Sequence, residues 1–145
     1  WRATLLSVGP MRSVREHMLN QALADSSLEG AIRSTAASDG LDATLPFLFT
    51  LRGTATALEM HVVDGTCMHV DPKAPGLRIV IAEPTTVELV GVHAEGQAGV
   101  MTHHGTSVHM HALVLWKGQR ITAHVDSITM TAGSSLSIPG DAPRD

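Results

Sequence analysis

Three histidines in the last third of the chain have the residue type and spacing that hold a catalytic metal. His109 and His111 stand two residues apart in the run Ser107 to Trp116, which is rich in strand-forming residues. In a strand, residues two apart point to the same side. Lys117-Gly118 offers a tight turn, after which Gln119 to Val125 resumes an extended pattern that contains His124. With a two-residue loop, Trp116 pairs with Gln119 and the register carries outward until His111 lies opposite His124. Directly opposed side chains share a face, with Cβ atoms ~5 Å apart. Three neutral imidazoles converging in this way suit Zn²⁺ or another borderline divalent ion, and three protein ligands leave a fourth position open to water or substrate. A slip of one residue would turn His124 to the opposite face.

Other polar residues cluster around this trio in the sequence. Glu59 and His61 alternate on one strand and so face the same way, which makes them candidates for acid/base work or further ligation. His103 and His104 precede the ligand strand in a glycine-bounded loop, where contacts to a substrate are often carried. His61, Glu59 and His104 are therefore the catalytic candidates. Asp126 would oppose His109 in the hairpin register and orient its imidazole. Cys67 and His69 also alternate, but without a second Cys-x-x-Cys a small buried cysteine is the better reading. Met60, Met101, Met110 and Met130 read as core fillers and not as copper ligands. No Gly-x-Gly-x-x-Gly, P-loop or Gly-x-Ser-x-Gly occurs, so nucleotide binding and a serine-hydrolase elbow have no support.

The elements that must position these residues are helical first and extended afterwards. Met11 to Ala24 carries apolar residues at a moderate 3.6-residue period, and Gly9-Pro10 could start a helix there. A second helix follows, opened by a capping box of Ser26 with Glu29 and stopped by Gly40. Strands are expected at Phe47 to Leu51, Thr56 to Val63, Leu77 to Ala82, Thr86 to His93, Ser107 to Trp116, Arg120 to Met130 and Ser135 to Ile138, separated by glycine and proline. Short turns between them favour antiparallel pairing. The expectation is an α+β fold, a mainly antiparallel or mixed sheet with two N-terminal helices packed to one side. Residues 1–139 read as one domain and 140–145 as a polar tail that frays.

Composition bounds what the chain can do. Its 145 residues suffice for one hydrophobic core, and with aromatics at only 3% that core must be built from Leu, Val, Ile, Ala and Met. A formal net charge of −4 and scattered basic residues argue against a nucleic-acid partner. No apolar stretch approaches the ~20 residues of a membrane helix, so no membrane partner is expected. A small-molecule substrate is the expected partner, with a homodimer kept open as the assembly. The single Cys67 excludes an intrachain disulfide and fits a cytoplasmic compartment, with a periplasmic or secreted one kept open. The chain opens at Trp1 and carries no signal-peptide pattern, so an upstream segment is expected to have been lost or left out.

The segment Gly99 to His111, followed by Ala123-His124-Val125-Asp126 and Leu136-Ser137-Ile138-Pro139, resembles the metal-binding end of α-acetolactate decarboxylases and their small bacterial relatives. Leu28 to Ile32, Gly40-Leu41-Asp42, Pro46 to Phe49, Arg52-Gly53 and Met60 to Val63 extend the resemblance more loosely, to about residues 28–139. The resemblance implies zinc held by His109, His111 and His124, and a lyase that decarboxylates a 2-hydroxy-3-keto acid. PPC-type domains share the broad fold, so fold alone does not fix the chemistry. His61 stands where the decarboxylases carry a catalytic arginine, Ala123 replaces a glycine, and a glutamate from the family's N-terminal portion has no match. The alternatives are an ester or lactone hydrolase of the same fold and a non-catalytic metal-binding or assembly domain. They separate on whether the metal keeps an open position.

Overall fold

The sheet is organised by one long strand, β3 (Phe47–Val62), which has partners along both edges. The computed structural model describes residues 13–62 and 77–140. Within them run β1 (Val14–Met18), β2 (Leu23–Ala24), α1 (Asp25–Ser38), β3, β4 (Leu77–Ile81), β5 (Thr85–His93), β6 (Val108–Trp116), β7 (Gln119–Met130) and β8 (Ser135–Pro139). All strand pairs are antiparallel. One edge of β3 takes β5 along Phe47–Ala55 and β4 along Leu58–Val62; the other takes β8 at Thr50–Arg52 and β7 from Ala55 to His61. Because β5 pairs β6, β6 pairs β7 and β7 returns to β3, these four strands close into a barrel.

The sequence expectation of an α+β fold with two helices is corrected by this architecture, which is mainly β. Among the described residues α1 alone is an α-helix. The segment read as a first helix forms β1 and β2, while Met11 and Gly9-Pro10 lie outside the described residues. Val14 and Met18 had suggested a helical face, yet both are exposed, at 52% and 57%, and Leu19 and Leu23 are the buried ones. Backbone pairing of Val14–Met18 with β8 outweighs that weak period. Gly53 does not separate two strands either. A Cβ there would meet the Ser134 Oγ at 2.2 Å, so this glycine permits close approach of the β7–β8 turn to an uninterrupted β3.

The helix start also differs in its chemistry. Ala24 is the N-cap, and Ser27, not Ser26 with Glu29, bonds back to the Ala24 backbone nitrogen at 2.9 Å. Glu29 is thereby free to accept from the Thr106 hydroxyl at 2.8 Å and the Ser107 amide at 3.0 Å. Asp25 accepts from the Ile128 amide of β7 at 3.0 Å. The helix ends at Gly40 as its sequence predicts, with a φ of 85° that suits glycine. Leu28, Ile32 and Ala36 bury its inner face in the same core as Phe49, Leu51, Leu58, Met60, Leu89, Ala112, Met130, Leu136 and Ile138. The aromatic-poor core expected from composition is what the chain builds. No helix of the described residues is long and apolar enough to cross a membrane.

Packing at the barrel wall gives a direct test. A Cβ on Gly91 of β5 would meet the fully buried Phe49 ring at 2.3 Å, whereas one on Gly30 of α1 meets nothing within 4 Å. Gly91→Ala should cost roughly 1–3 kcal/mol through overpacking. Gly30→Ala should stabilise by roughly 0.5–1 kcal/mol through helix propensity. Urea denaturation of both variants measures the two signs.

Candidate metal centre

Alternation along the strands sets the histidines on the face opposite the core. Met60, Ala112 and Ala123 are buried, so their neighbours His61, His111 and His124 point to the other side. The β6–β7 register runs from Trp116↔Gln119 to His111↔His124, as the two-residue turn predicts. Lys117 and Gly118 have φ of 49° and 78°, the pair of positive values that a type I′ turn needs and that matches the twist of a hairpin. On the other edge of β7, His124 pairs with His61 of β3. Three imidazoles thus form a row across adjacent strands, His61–His124–His111, and His109 stands one step further along β6.

The loop between β5 and β6 completes the cluster. It carries His103 over the row, with ring centroids 4.3 Å from His124 and 5.4 Å from His109. The loop is held by the Thr102 hydroxyl donating to the Thr106 carbonyl at 2.7 Å, and by Glu29 of α1. One ligand atom from each of His103, His109 and His124 lies within 4.8 Å of the others. His111 is close but displaced: its Nε2 is 3.0 Å from the His109 Nε2, and its ring centroid is 5.5 Å from that of His124. The convergent set therefore shares His109 and His124 with the sequence expectation and adds His103 where His111 was expected. A cavity of about 430 Å³ opens beside it, lined by His103, His104, His109, His124, Asp126 and the first turn of α1, among others.

The remaining candidates are placed as follows. His104 lines the cavity and packs over Gly99 without joining the cluster. Glu59 is engaged in an ion pair with Arg78 of β4 and does not join the convergent imidazoles. Asp126 orients an imidazole, but it is that of His61 and not of His109: both carboxylate oxygens receive His61 Nδ1, at 2.8 and 3.0 Å. A β-bulge explains the exchange. Glu59 pairs with Ser127 and Met60 with Val125, so Asp126 is the extra residue of β7 and is swung toward β3. Cys67 and His69 lie outside the described residues.

Burial and mutual crowding disfavour protonation of His109, His111 and His124. Burial first, then the neighbouring imidazoles of His103, His109, His61 and His111, push His124 down to about 3. His109 and His111 are lowered for the same reasons, burial leading; a hydrogen bond to the Met101 backbone partly opposes this at His109. Neutral imidazoles with available lone pairs are the form that ligates a metal. The donor set suits a borderline divalent ion by its chemistry, since neutral imidazole nitrogens are preferred ligands of such ions.

No protein-family model matches the chain, and no curated protein matches it. Solved structures do match in fold. An acetolactate decarboxylase from Bacillus subtilis subspecies spizizenii superposes with a TM-score of 0.64 at 13% identity, over 88% of this chain and 53% of that one. A metal-containing protein from Archaeoglobus fulgidus gives 0.55 at 16% identity, over 99% and 89%. A plant- and prokaryote-conserved (PPC) protein from Pyrococcus horikoshii gives 0.56 at 11% identity, over 98% and 86%. Structures described as those of putative DNA-binding proteins share the fold as well. The chain has the β-barrel fold of acetolactate decarboxylases and PPC proteins, and it spans about half the length of the decarboxylases.

A pH dependence follows from His124. Its imidazole binds a proton near 6.5 when unfolded but only near 3 in the metal-free folded chain. Stability is therefore full above about pH 6.5 and is lost as pH falls toward 3, because the unfolded chain takes up the proton first. Each unit of such a shift is worth about 1.4 kcal/mol. The melting temperature of metal-free protein should fall steadily from pH 7 to pH 4.5, and His124→Gln should flatten that slope.

Proposed function

We propose that this chain is a metal-dependent lyase acting on a small hydroxy or keto acid, with a divalent ion, zinc by ligand preference, held by His103, His109 and His124. The single observation that carries the reading is the convergence of three imidazoles beside an open cavity. The fold of the acetolactate decarboxylases supports the reaction class. A metal bound at this position supplies a Lewis acid for the substrate's oxygens. His109 and His124 hold the ion from rigid strands, and His103 reaches it from the loop fastened by Glu29. His111, next to His109, is the alternative third ligand that the sequence resemblance implies.

The partner in this reading is a small molecule. A cavity of about 430 Å³ has the capacity for one. The formal net charge of −4 disfavours a nucleic-acid backbone. Ester or lactone hydrolysis at the same ion is the second enzymatic reading, supported by the Asp126 carboxylate at the cavity wall.

The experiment is elemental analysis of untagged protein joined to an assay of acetoin release from racemic acetolactate. About one divalent ion per chain is expected. His109→Ala and His124→Ala should each lose it, and with it the stability that metal binding contributes. His111→Ala should retain most of it. Less than one-tenth occupancy after zinc supplementation contradicts the metal reading. Because the sequence resemblance sets His61 where the decarboxylases carry an arginine, acetolactate itself should turn over at least ~10²-fold more slowly than a site with full charge stabilisation allows. Turnover of neither acetolactate nor related acids would favour the non-catalytic domain.

A further inference from the structure

His93 is the one histidine of the described residues with no exposed surface, and the metal set does not use it. It ends β5, so the loop 94–107 that carries His103 begins at the next residue. The root of that loop is closed by the Ala94 amide donating to the Ser107 carbonyl at 2.8 Å. The backbone register sets His93 between Phe47 of β3 and Val108 of β6, and its ring stacks on the Phe47 ring with centroids 4.8 Å apart and planes at 20°. Among the described residues, neither ring nitrogen has a hydrogen-bond partner. The same holds for the buried Oε2 of Glu95, two residues on in the loop, whose Oε1 is held by Arg33 of α1 at 3.2 Å. Buried polar atoms of folded proteins are as a rule paired. Here an imidazole and a neighbouring carboxylate are both left idle, and a proton on the ring would change what each can bond.

The charged groups around the ring are Glu29 and Arg33 on α1 and Glu95 in the loop, while its strand partners Phe47 and Val108 bring none. Burial, the largest influence, holds His93 below the usual histidine range; Glu29 and Glu95 oppose it, and Arg33 reinforces it. An imidazolium left fully buried with two unpaired N–H groups carries a heavy desolvation cost. It needs an acceptor, and the Oε2 of Glu95 is one without a donor. We infer that His93 is a proton-operated latch on the β5–β6 loop: the neutral ring, stacked on Phe47, keeps the loop seated, and the charged ring turns out of its buried place, takes Glu95 from Arg33 and loosens the loop with His103. The consequence for a bound metal rests on the proposed role of His103, whereas the latch itself is a property of the metal-free chain. Its direction follows from linkage. Folded His93 binds a proton less readily than unfolded His93, so the seated loop is favoured above about pH 6.5 and is lost as pH falls toward the lower folded value.

The test is amide hydrogen exchange on the metal-free full chain, read by mass spectrometry at pH 7.5 and pH 4.5 and corrected for the intrinsic pH dependence of exchange. On acidification the unaltered chain should lose at least ~10-fold more protection in 94–107 than in the β3–β8 ladder, and His93→Leu and His93→Phe should reduce that excess to under ~3-fold. His93→Phe keeps an aromatic ring against Phe47 with nothing to titrate. NMR of the His93 ring in the unaltered chain covers the case in which neither variant folds: its Cε1 proton should titrate at the pH where the loop opens. An excess that persists in a folded variant, a loop no more acid-sensitive than the ladder, or a ring that titrates apart from loop opening would each overturn the latch. Zinc affinity, measured beside it by chelator competition at pH 7.5, keeps the two ideas apart. A His93-dependent loop in a chain that binds no zinc supports the latch and removes the metal centre, and zinc binding with a loop indifferent to His93 removes the latch alone.

Discussion

The position of β7 between β3 and β6 is the constraint on which the site depends. Its backbone is paired on both edges, so His124 has His61 on one side and His111 on the other without freedom to slide. The same ladders close the barrel. A shift of one residue on either edge would carry an imidazole into a core of Met60, Ala112 and Ala123 and bring an apolar side chain out. The register that buries the hydrophobic residues is therefore the register that assembles the histidines. Core and site are specified by one set of hydrogen bonds.

Helix α1 does a second job besides covering the core. Ser27 takes over its capping, and this leaves Glu29 for the Thr106 hydroxyl and the Ser107 amide at the root of the ligand strand. Asp25 ties the same helix to β7 at Ile128. The loop that brings His103 over His124 is thus braced by an element whose own stability comes from Leu28, Ile32 and Ala36 in the core. Rigid strands hold two of the three convergent imidazoles, and a braced loop holds the third. Such support keeps a metal site in place.

What the sequence made legible was local. The β6–β7 register could be read because a two-residue turn fixes pairing by counting, and alternation then does the rest. The bounds of β4 to β8 and the Gly40 stop were legible for similar reasons of local chemistry, whereas the break expected at Gly53 was not there. Closure of the barrel was not, because the β3–β7 contact joins strands some seventy residues apart and nothing in either strand names the other. The approach of His103 to His109 and His124 was not legible, because a loop has no periodicity from which to project a side chain. Asp126 was assigned to His109 because counting assumes regular pairing, and a bulge breaks it. The helix expected before residue 25 failed where a weak period competed with an available strand edge.

A barrel shared by acetolactate decarboxylases, a metal-containing archaeal protein and a PPC protein does not by itself select a reaction. The chemistry must come from the ligand set and from what it leaves open. The most direct measurement is X-ray absorption spectroscopy at the zinc edge of the zinc-loaded chain. The account predicts three imidazole nitrogens at about 2.0–2.1 Å with oxygen completing the shell. Four imidazoles, or a sulfur ligand in the shell, would describe a closed site and contradict the claim that this metal centre is built for catalysis.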